Sequence, residues 1–197
     1  MLRLLAPRWK VTGRKNVPVR GPVLLAPNHI ADCDPPFVGL SLHRPLWFMA
    51  KSELFEIPVL GSLIDFAQAF PVERGVPDRA ALKRAEQLLK GGQAVVVFPE
   101  GQLSQSGELQ PLLPGVALLA LRARVPVIPV GIYGTNVVLP YGKVVPKPTM
   151  APLHIHFGKP LTFDDLEGLS SREQRAQCVE RLGKALREAI DVARCEY

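Results

Sequence analysis

His29 sits in the stretch Ala26-Pro-Asn-His29-Ile-Ala-Asp-Cys-Asp34, where a short apolar run gives way to a polar segment. Imidazole titrates near neutrality, so a histidine so placed can remove the proton of an attacking hydroxyl. A carboxylate bonded to the other ring nitrogen would fix the tautomer and stabilise the imidazolium. Asp34 has a suitable spacing, and Asp32 competes for the same place. A plainer account also fits, in which Asp34 caps a helix and His29 is a polar loop residue. Three more apolar runs end in unusual residues: Phe70-Pro-Val-Glu-Arg74-Gly75, Val97-Phe-Pro-Glu100-Gly101 and Val125-Pro-Val-Ile-Pro129-Val-Gly131. Singly, these have mundane accounts too, a surface arginine or a strand stopped by proline.

The elements that must position these residues follow from periodicity and punctuation. Apolar or β-branched runs at 23–26, 46–50, 69–72, 94–98, 125–132 and 153–157 read as strands. Between them, Asp34-Pro35-Pro36 opens a helix that Pro45 ends, and 57–67 is a short apolar helix with Pro58 in its first turn. Asp78 caps a helix over 79–90 that Gly91-Gly92 terminates, and 114–124 is helical. A last helix over about 171–194 starts at capping boxes, Ser170 with Glu173 or Ser171 with Gln174. This alternation predicts an α/β fold, a mainly parallel sheet flanked by helices on both faces. Ligands on such sheets lie beyond the carboxyl ends of the strands, where the four unusual stretches fall.

The 197 residues suit a single domain over 1–197, and 47% hydrophobic content supplies one packed core. Lys and Arg total 24 against 18 Asp and Glu, a formal charge of +6 that suits an anionic partner. Nucleic acid, a phospholipid surface and a phosphorylated substrate all meet that description, but no nucleic-acid-binding module is recognisable. Cys33, Cys178 and Cys195 are far apart, which disfavours a disulfide framework or zinc site and fits a reducing cytoplasm. The longest uncharged stretch, 125–142, is broken by Pro126, Pro129 and Pro140 and is not expected to span a membrane. At the N-terminus, Leu2, Leu4, Leu5 and Trp9 alternate with Arg3, Arg8 and Lys10, which suits either a headgroup contact or a frayed basic end.

In this order the four stretches are specific. Asn28-His29…Asp34, Phe70-Pro71-Val72-Glu73-Arg74, Val97-Phe98-Pro99-Glu100-Gly101 and Val125-Pro126-Val127-Ile128-Pro129 resemble the four blocks of the glycerolipid acyltransferase family. The likeness extends to Gly21–Pro27 and Lys51–Pro58 and covers roughly residues 10–160. It implies a single acyltransferase domain and an acyl transfer from acyl-CoA or acyl-carrier protein, as co-substrate, to a lysophospholipid hydroxyl. The acceptor implied is 1-acylglycerol-3-phosphate, giving phosphatidic acid. No cofactor or metal is implied, and no acyl-enzyme.

In that scheme His29 is the general base and Asp34 orients it. Arg74 and Lys51 hold the acceptor phosphate, and Glu100 and Gly101 belong to the acceptor site. The family commonly continues its third block Glu-Gly-Thr-Arg-Ser, whereas this chain runs Glu100-Gly101-Gln102-Leu103-Ser104. Leu103 thus replaces an expected basic residue, which keeps a lysolipid with another headgroup open. The resemblance also implies peripheral association with an anionic membrane, at the cytoplasmic face of the cell membrane. Two rivals stand beside this reading: a catalytically silent lipid-binding relative and a thioesterase.

Other reactive residues have bland expectations. His154 and His156 should share a solvated strand face, Cys33 should be a small buried filler, and His43 should cap a helix end. Arg172, Arg175, Arg181, Lys184 and Arg187 on the last helix read as a solvated face, or as a contact for anionic lipid or acidic carrier protein. Gly-x-Ser-x-Gly, Gly-x4-Gly-Lys-Ser/Thr and Gly-x-Gly-x-x-Gly are all absent, which removes the hydrolase and nucleotide-binding signatures.

Overall fold

A computed structural model describes residues 5–73 and 78–195. The strands are β1 (Trp9–Thr12), β2 (Val23–Pro27), β3 (Trp47–Lys51), β4 (Ala69–Val72), β5 (Ala94–Val96), β6 (Val127–Tyr133) and β7 (Leu153–Phe157). The helices are α1 (Asp34–Leu40), α2 (Leu60–Phe66), α3 (Arg79–Lys90), α4 (Pro114–Ala123), α5 (Thr135–Val138) and α6 (Ser171–Cys195). One sheet holds the strands in the order β1-β7-β6-β2-β5-β3-β4. Neighbours are parallel throughout except β6 and β7, which run antiparallel.

Period-two alternation divides the core between the two faces. Leu25, Val96, Ile128 and Val130 face one layer with Phe37 and Val38 of α1. Leu24, Ala26, Val95 and Val127 face the other, against Ala85 and Leu89 of α3, Val116 and Leu119 of α4, and Leu182 of α6. Strands buried on both faces give the continuous apolar runs seen in the sequence. The expected α/β sheet with helices on both faces is the observed one.

Several boundaries differ from the sequence reading for local reasons. A 3-10 turn, Ser52–Glu56, and the left-handed backbone of Val59 (φ 69°) delay the 57–67 helix to α2. Asp34 is the first residue of α1 rather than its cap, and no side chain caps the helix. His43 is exposed beyond the end of α1, where the Ser41 hydroxyl donates to the Phe37 carbonyl instead. Asp78 and the Ser170–Glu173 box cap α3 and α6 as the sequence predicts.

The N-terminal segment departs most. Residues 9–12 form an edge strand, and Trp9 packs edge-on against Phe37 with ring centroids 5.1 Å apart. Leu5 packs on the same core layer, so neither side chain is free for a headgroup. Leu2, Arg3 and Leu4 lie outside the described residues.

His154 and His156 do share a face, but α6 covers it and His154 is fully buried. Its Nδ1 bonds the Ala193 carbonyl at 3.0 Å, while the Thr12 hydroxyl bridges His154 Nε2 and His156 Nδ1 at 2.8 Å each. On α6, Arg181 is engaged in a two-bond contact with Asp165.

Gly131 lets α6 reach the sheet: a Cβ there would lie 2.1 Å from the Ala189 carbonyl oxygen. Gly131→Ala must therefore push helix from strand and is expected to destabilise the fold by about 1–3 kcal/mol. A lowered midpoint in urea or thermal unfolding checks this, and an unchanged midpoint would contradict the close approach.

Candidate active site

The strand register builds the site. Leu25 of β2 and Phe48 of β3 both pair with Val96 of β5, and Lys51 pairs with Val72 of β4. Counting along these pairs, the strands leave the sheet at His29, Glu100, Ser52 and Glu73 in one row. The β2, β3, β4 and β5 exits therefore share one edge, and β6, parallel to β2, ends there too. Asn28 locks β2 to β6: its side-chain amide donates to the Ile132 carbonyl (3.1 Å) and accepts from the Ile132 amide (2.7 Å).

At that edge His29 Nδ1 lies 2.8 Å from Asp34 Oδ2, and both side chains are buried. The same oxygen accepts the amides of Ile30 (2.7 Å) and Ala31 (2.9 Å), and Oδ1 accepts the Thr135 hydroxyl (2.6 Å). Asp34 thus folds its own preceding loop around itself. A carboxylate that accepts from every partner assigns the proton of the neutral ring to Nδ1. The lone pair then belongs to Nε2, which no described residue hydrogen-bonds. Phe98 stacks on the imidazole with centroids 4.1 Å apart and planes at 27°.

Glu100 is buried beside this pair but does other work. Oε1 accepts the His29 amide and Oε2 the Gln110 amide, each at 2.7 Å. Burial pushes its pKa above the ordinary value, and the two amide bonds only partly oppose the rise. The Ser104 amide donates back to the His29 carbonyl at 2.8 Å, so the loop after β5 grips the loop after β2 from both directions. Gly101 occupies the turn between, at φ 69°, with its amide donating to the Phe98 carbonyl. A Cβ there would strike Leu113.

Lys51 ends β3 at the same edge, two strands from β2 and so about 10 Å away at ordinary strand spacing. Its Nζ is exposed and pairs with Glu53 Oε1 at 3.0 Å. Arg74 lies outside the described residues. Asp32, the rival partner of His29, instead lines a cleft of about 640 Å³ with Gln102, Leu103, Gln105 and Tyr141. Cys33 is buried, and burial with the adjacent Asp34 charge pushes its thiol up to about 12, far from a nucleophile's range. Among the described residues no cluster of three or more His, Cys, Asp or Glu is placed to hold a metal ion.

Sequence reasoning missed Thr135, the fourth donor to Asp34. Its signal was present, since Tyr133-Gly134-Thr135 is where β6 leaves the sheet. Nothing local in the sequence marks Phe98 as the partner of the imidazole, or Ser104 and Gln110 as supports of the histidine loop.

Comparison with known proteins agrees with this architecture. The family model described as Acyltransferase matches residues 8–133. The 1-acyl-sn-glycerol-3-phosphate acyltransferase of Bacillus subtilis (strain 168) is 31% identical over 180 residues, covering 91% of this chain and 86% of the relative. The chloroplastic 1-acyl-sn-glycerol-3-phosphate acyltransferase BAT2 of Brassica napus is 33% identical over 135 residues, 67% of this chain but 39% of its own length. The crystal structure of the 1-acyl-sn-glycerophosphate (LPA) acyltransferase PlsC from Thermotoga maritima superposes with a TM-score of 0.74 at 28% identity, over 96% of this chain and 73% of that one. On the extent of these matches, and with the sheet and its four strand exits in place, this chain belongs to the Acyltransferase family and is an acyltransferase.

Proposed function

We propose that the chain transfers an acyl group from acyl-CoA or acyl-carrier protein to the free hydroxyl of 1-acylglycerol-3-phosphate, giving phosphatidic acid. The buried His29–Asp34 contact at the carboxyl edge of the sheet carries the proposal. The acceptor follows the relatives, which are named for it.

In this mechanism Nε2 of His29 takes the hydroxyl proton as the oxygen attacks the thioester carbonyl. An ester bond forms, the carbon–sulfur bond breaks, and the departing thiolate takes the proton from the imidazolium. Asp34 holds the ring in its reactive tautomer and stabilises the imidazolium. Thiolate is a good leaving group, so positioning and a base supply what the reaction needs.

Arg74 and Lys51 hold the acceptor phosphate, a task for which a guanidinium fork is suited. Glu100 is not the base: both its oxygens are occupied by amides, and it shapes the loop that carries His29. Gly101 contributes the turn of the acceptor loop. The protein acts peripherally on an anionic membrane, at its cytoplasmic face. Three free cysteines suit that reducing compartment. No helix among the described residues is long and apolar enough to cross a membrane.

A second acceptor reading rests on Leu103, which lines the cleft in company with Gln102, Gln105 and Tyr141 rather than a cation. A lysolipid with an uncharged, hydroxyl-bearing headgroup would suit that wall. Thiol release from acyl-CoA or acyl-carrier protein, followed across a panel of lysolipids, separates the readings. Release without any acceptor would mark a thioesterase instead.

His29→Ala is expected to lower kcat by at least about 10²–10⁴-fold, the usual contribution of a general base, with the fold retained by circular dichroism. Turnover close to wild type would remove His29 from the chemistry. Arg74→Ala is expected to raise KM for the phosphate-bearing acceptor roughly tenfold to a hundredfold, as loss of a charge-assisted contact does. An unchanged KM would place the phosphate elsewhere.

Glu100→Gln turns an amide N–H₂ toward one of two backbone donors and is expected to destabilise by about 1–3 kcal/mol. The wild-type carboxyl has a raised pKa in the fold, so its protonation stabilises most below the ordinary value of 4.5 and that share is lost as pH rises through the raised value. The stability gap between wild type and variant should therefore narrow from acid toward neutral pH. Urea unfolding across that range measures it, and a gap that widens would reverse the assignment.

A further inference from the structure

The connection between α5 and β7 is apolar and cationic. Tyr141-Gly-Lys143-Val144-Val145-Pro-Lys147-Pro148 is exposed at every position, and Met150 follows, exposed as well. Val144 is 91% exposed, Val145 69% and Met150 67%. No other large apolar side chain among the described residues is as exposed as Val144. Lys143 and Lys147 bracket the two valines and form no ion pair with a described residue. The chain carries no Asp or Glu anywhere between Glu108 and Asp164.

This tip is held out from the body. The Lys143 amide bonds the Pro140 carbonyl (3.0 Å), the Lys147 amide bonds Val138 (2.8 Å), and the Thr149 amide bonds Leu5 (2.8 Å). Pro140, Pro146, Pro148 and Pro152 restrict the backbone further. Topology fixes where the tip projects. β6 ends at the edge that carries His29 and Asp34, and antiparallel β7 must start at that edge. The connection therefore leaves and re-enters at the catalytic edge. Tyr141 ties it to the loop after β5, accepting from Gln105 Nε2 at 2.8 Å.

We propose that residues 141–150 are the surface by which this protein docks on a bilayer bearing anionic lipid. Val144, Val145 and Met150 enter the headgroup boundary while Lys143 and Lys147 meet lipid phosphates, a pairing of apolar insertion with cationic attraction. Docking there turns the catalytic edge toward the membrane, so a lysolipid moves from its leaflet to His29 without crossing water. This orientation rests on the reading that the acceptor is a membrane lipid. Among the remaining exposed apolar side chains, Ile57, Val59 and Phe66 fall in a stretch that also carries Glu53, Glu56 and Asp65, whose charge opposes an anionic bilayer.

Vesicle sedimentation of the full chain tests the proposal with phosphatidylcholine vesicles and with mixed phosphatidylcholine–phosphatidylglycerol vesicles. Wild type should bind the mixed vesicles more tightly. Val144→Asp/Val145→Asp should weaken binding to both roughly tenfold or more, and Lys143→Gln/Lys147→Gln should remove only the advantage of the anionic lipid. In parallel, thiol release from acyl-CoA is followed with a short-chain lysophosphatidate kept below its micellar concentration. Both variants should turn over this soluble acceptor like wild type. Unaltered vesicle binding by the aspartate variant overturns the docking surface, as does loss of turnover on the soluble acceptor, which would put the loop inside the site. A wild-type dimer that the variant dissociates would assign the face to a second copy and equally overturn it. Vesicle binding by a wild type inactive on the soluble acceptor leaves the surface standing and sinks acyl-CoA with lysophosphatidate as the substrate pair instead.

Discussion

The Asp34 carboxylate, with no exposed surface, is held by four donors from two places in the chain: the His29 ring with the amides of Ile30 and Ala31, and the Thr135 hydroxyl. Several kcal/mol oppose the burial of an ionised carboxylate, and only well-aimed hydrogen bonds offset this. The loop after β2 and the turn after β6 must therefore close on it together. That requirement sets the path of residues 28–34, the face His29 presents to Phe98, and the ring nitrogen left for chemistry.

A second buried carboxylate, Glu100, shows how the same residue type takes a different part. Asp34 receives a side-chain donor that can carry charge, whereas Glu100 receives two backbone amides. The first arrangement tunes an imidazole, and the second ties two loops into one wall. Burial raises the Glu100 pKa, as expected where the compensating bonds come from neutral donors. The site is thus a pair of clamps on opposite sides of His29, one for its ring and one for its backbone.

Strand order gives the carboxyl edge of the sheet its two characters. Parallel β2, β5, β3 and β4 bring His29, Glu100 and Lys51 to one row. The single antiparallel pairing, β6 with β7, hangs an apolar, cationic connection beside that row. A buried histidine–aspartate pair and an exposed apolar, cationic tip can be neighbours because a sheet edge separates interior from solvent within a few residues. α6 lies across one face of the sheet, packed closely on Gly131, and its end reaches the loop after β5, where Arg194 pairs with Glu108 at 3.3 Å.

Local patterning determined much of this. The β/α alternation, the caps at Asp78 and Ser170, the four strand exits and the His29-x4-Asp34 spacing were all legible, because periodicity and punctuation record which side of an element meets a core. Spacing left Asp32 beside Asp34 as a partner for His29 and the family resemblance implied Asp34; the tertiary structure brings Asp34 to the ring. It also decided that Thr135, 101 residues away, completes the carboxylate's shell, that Trp9 belongs to an edge strand, and that His154 is buried under α6. Each of these depends on which strand lies beside which and on what covers it. A sequence states the apolar faces of its elements, but the crossovers choose their neighbours, and the neighbours choose which polar groups meet.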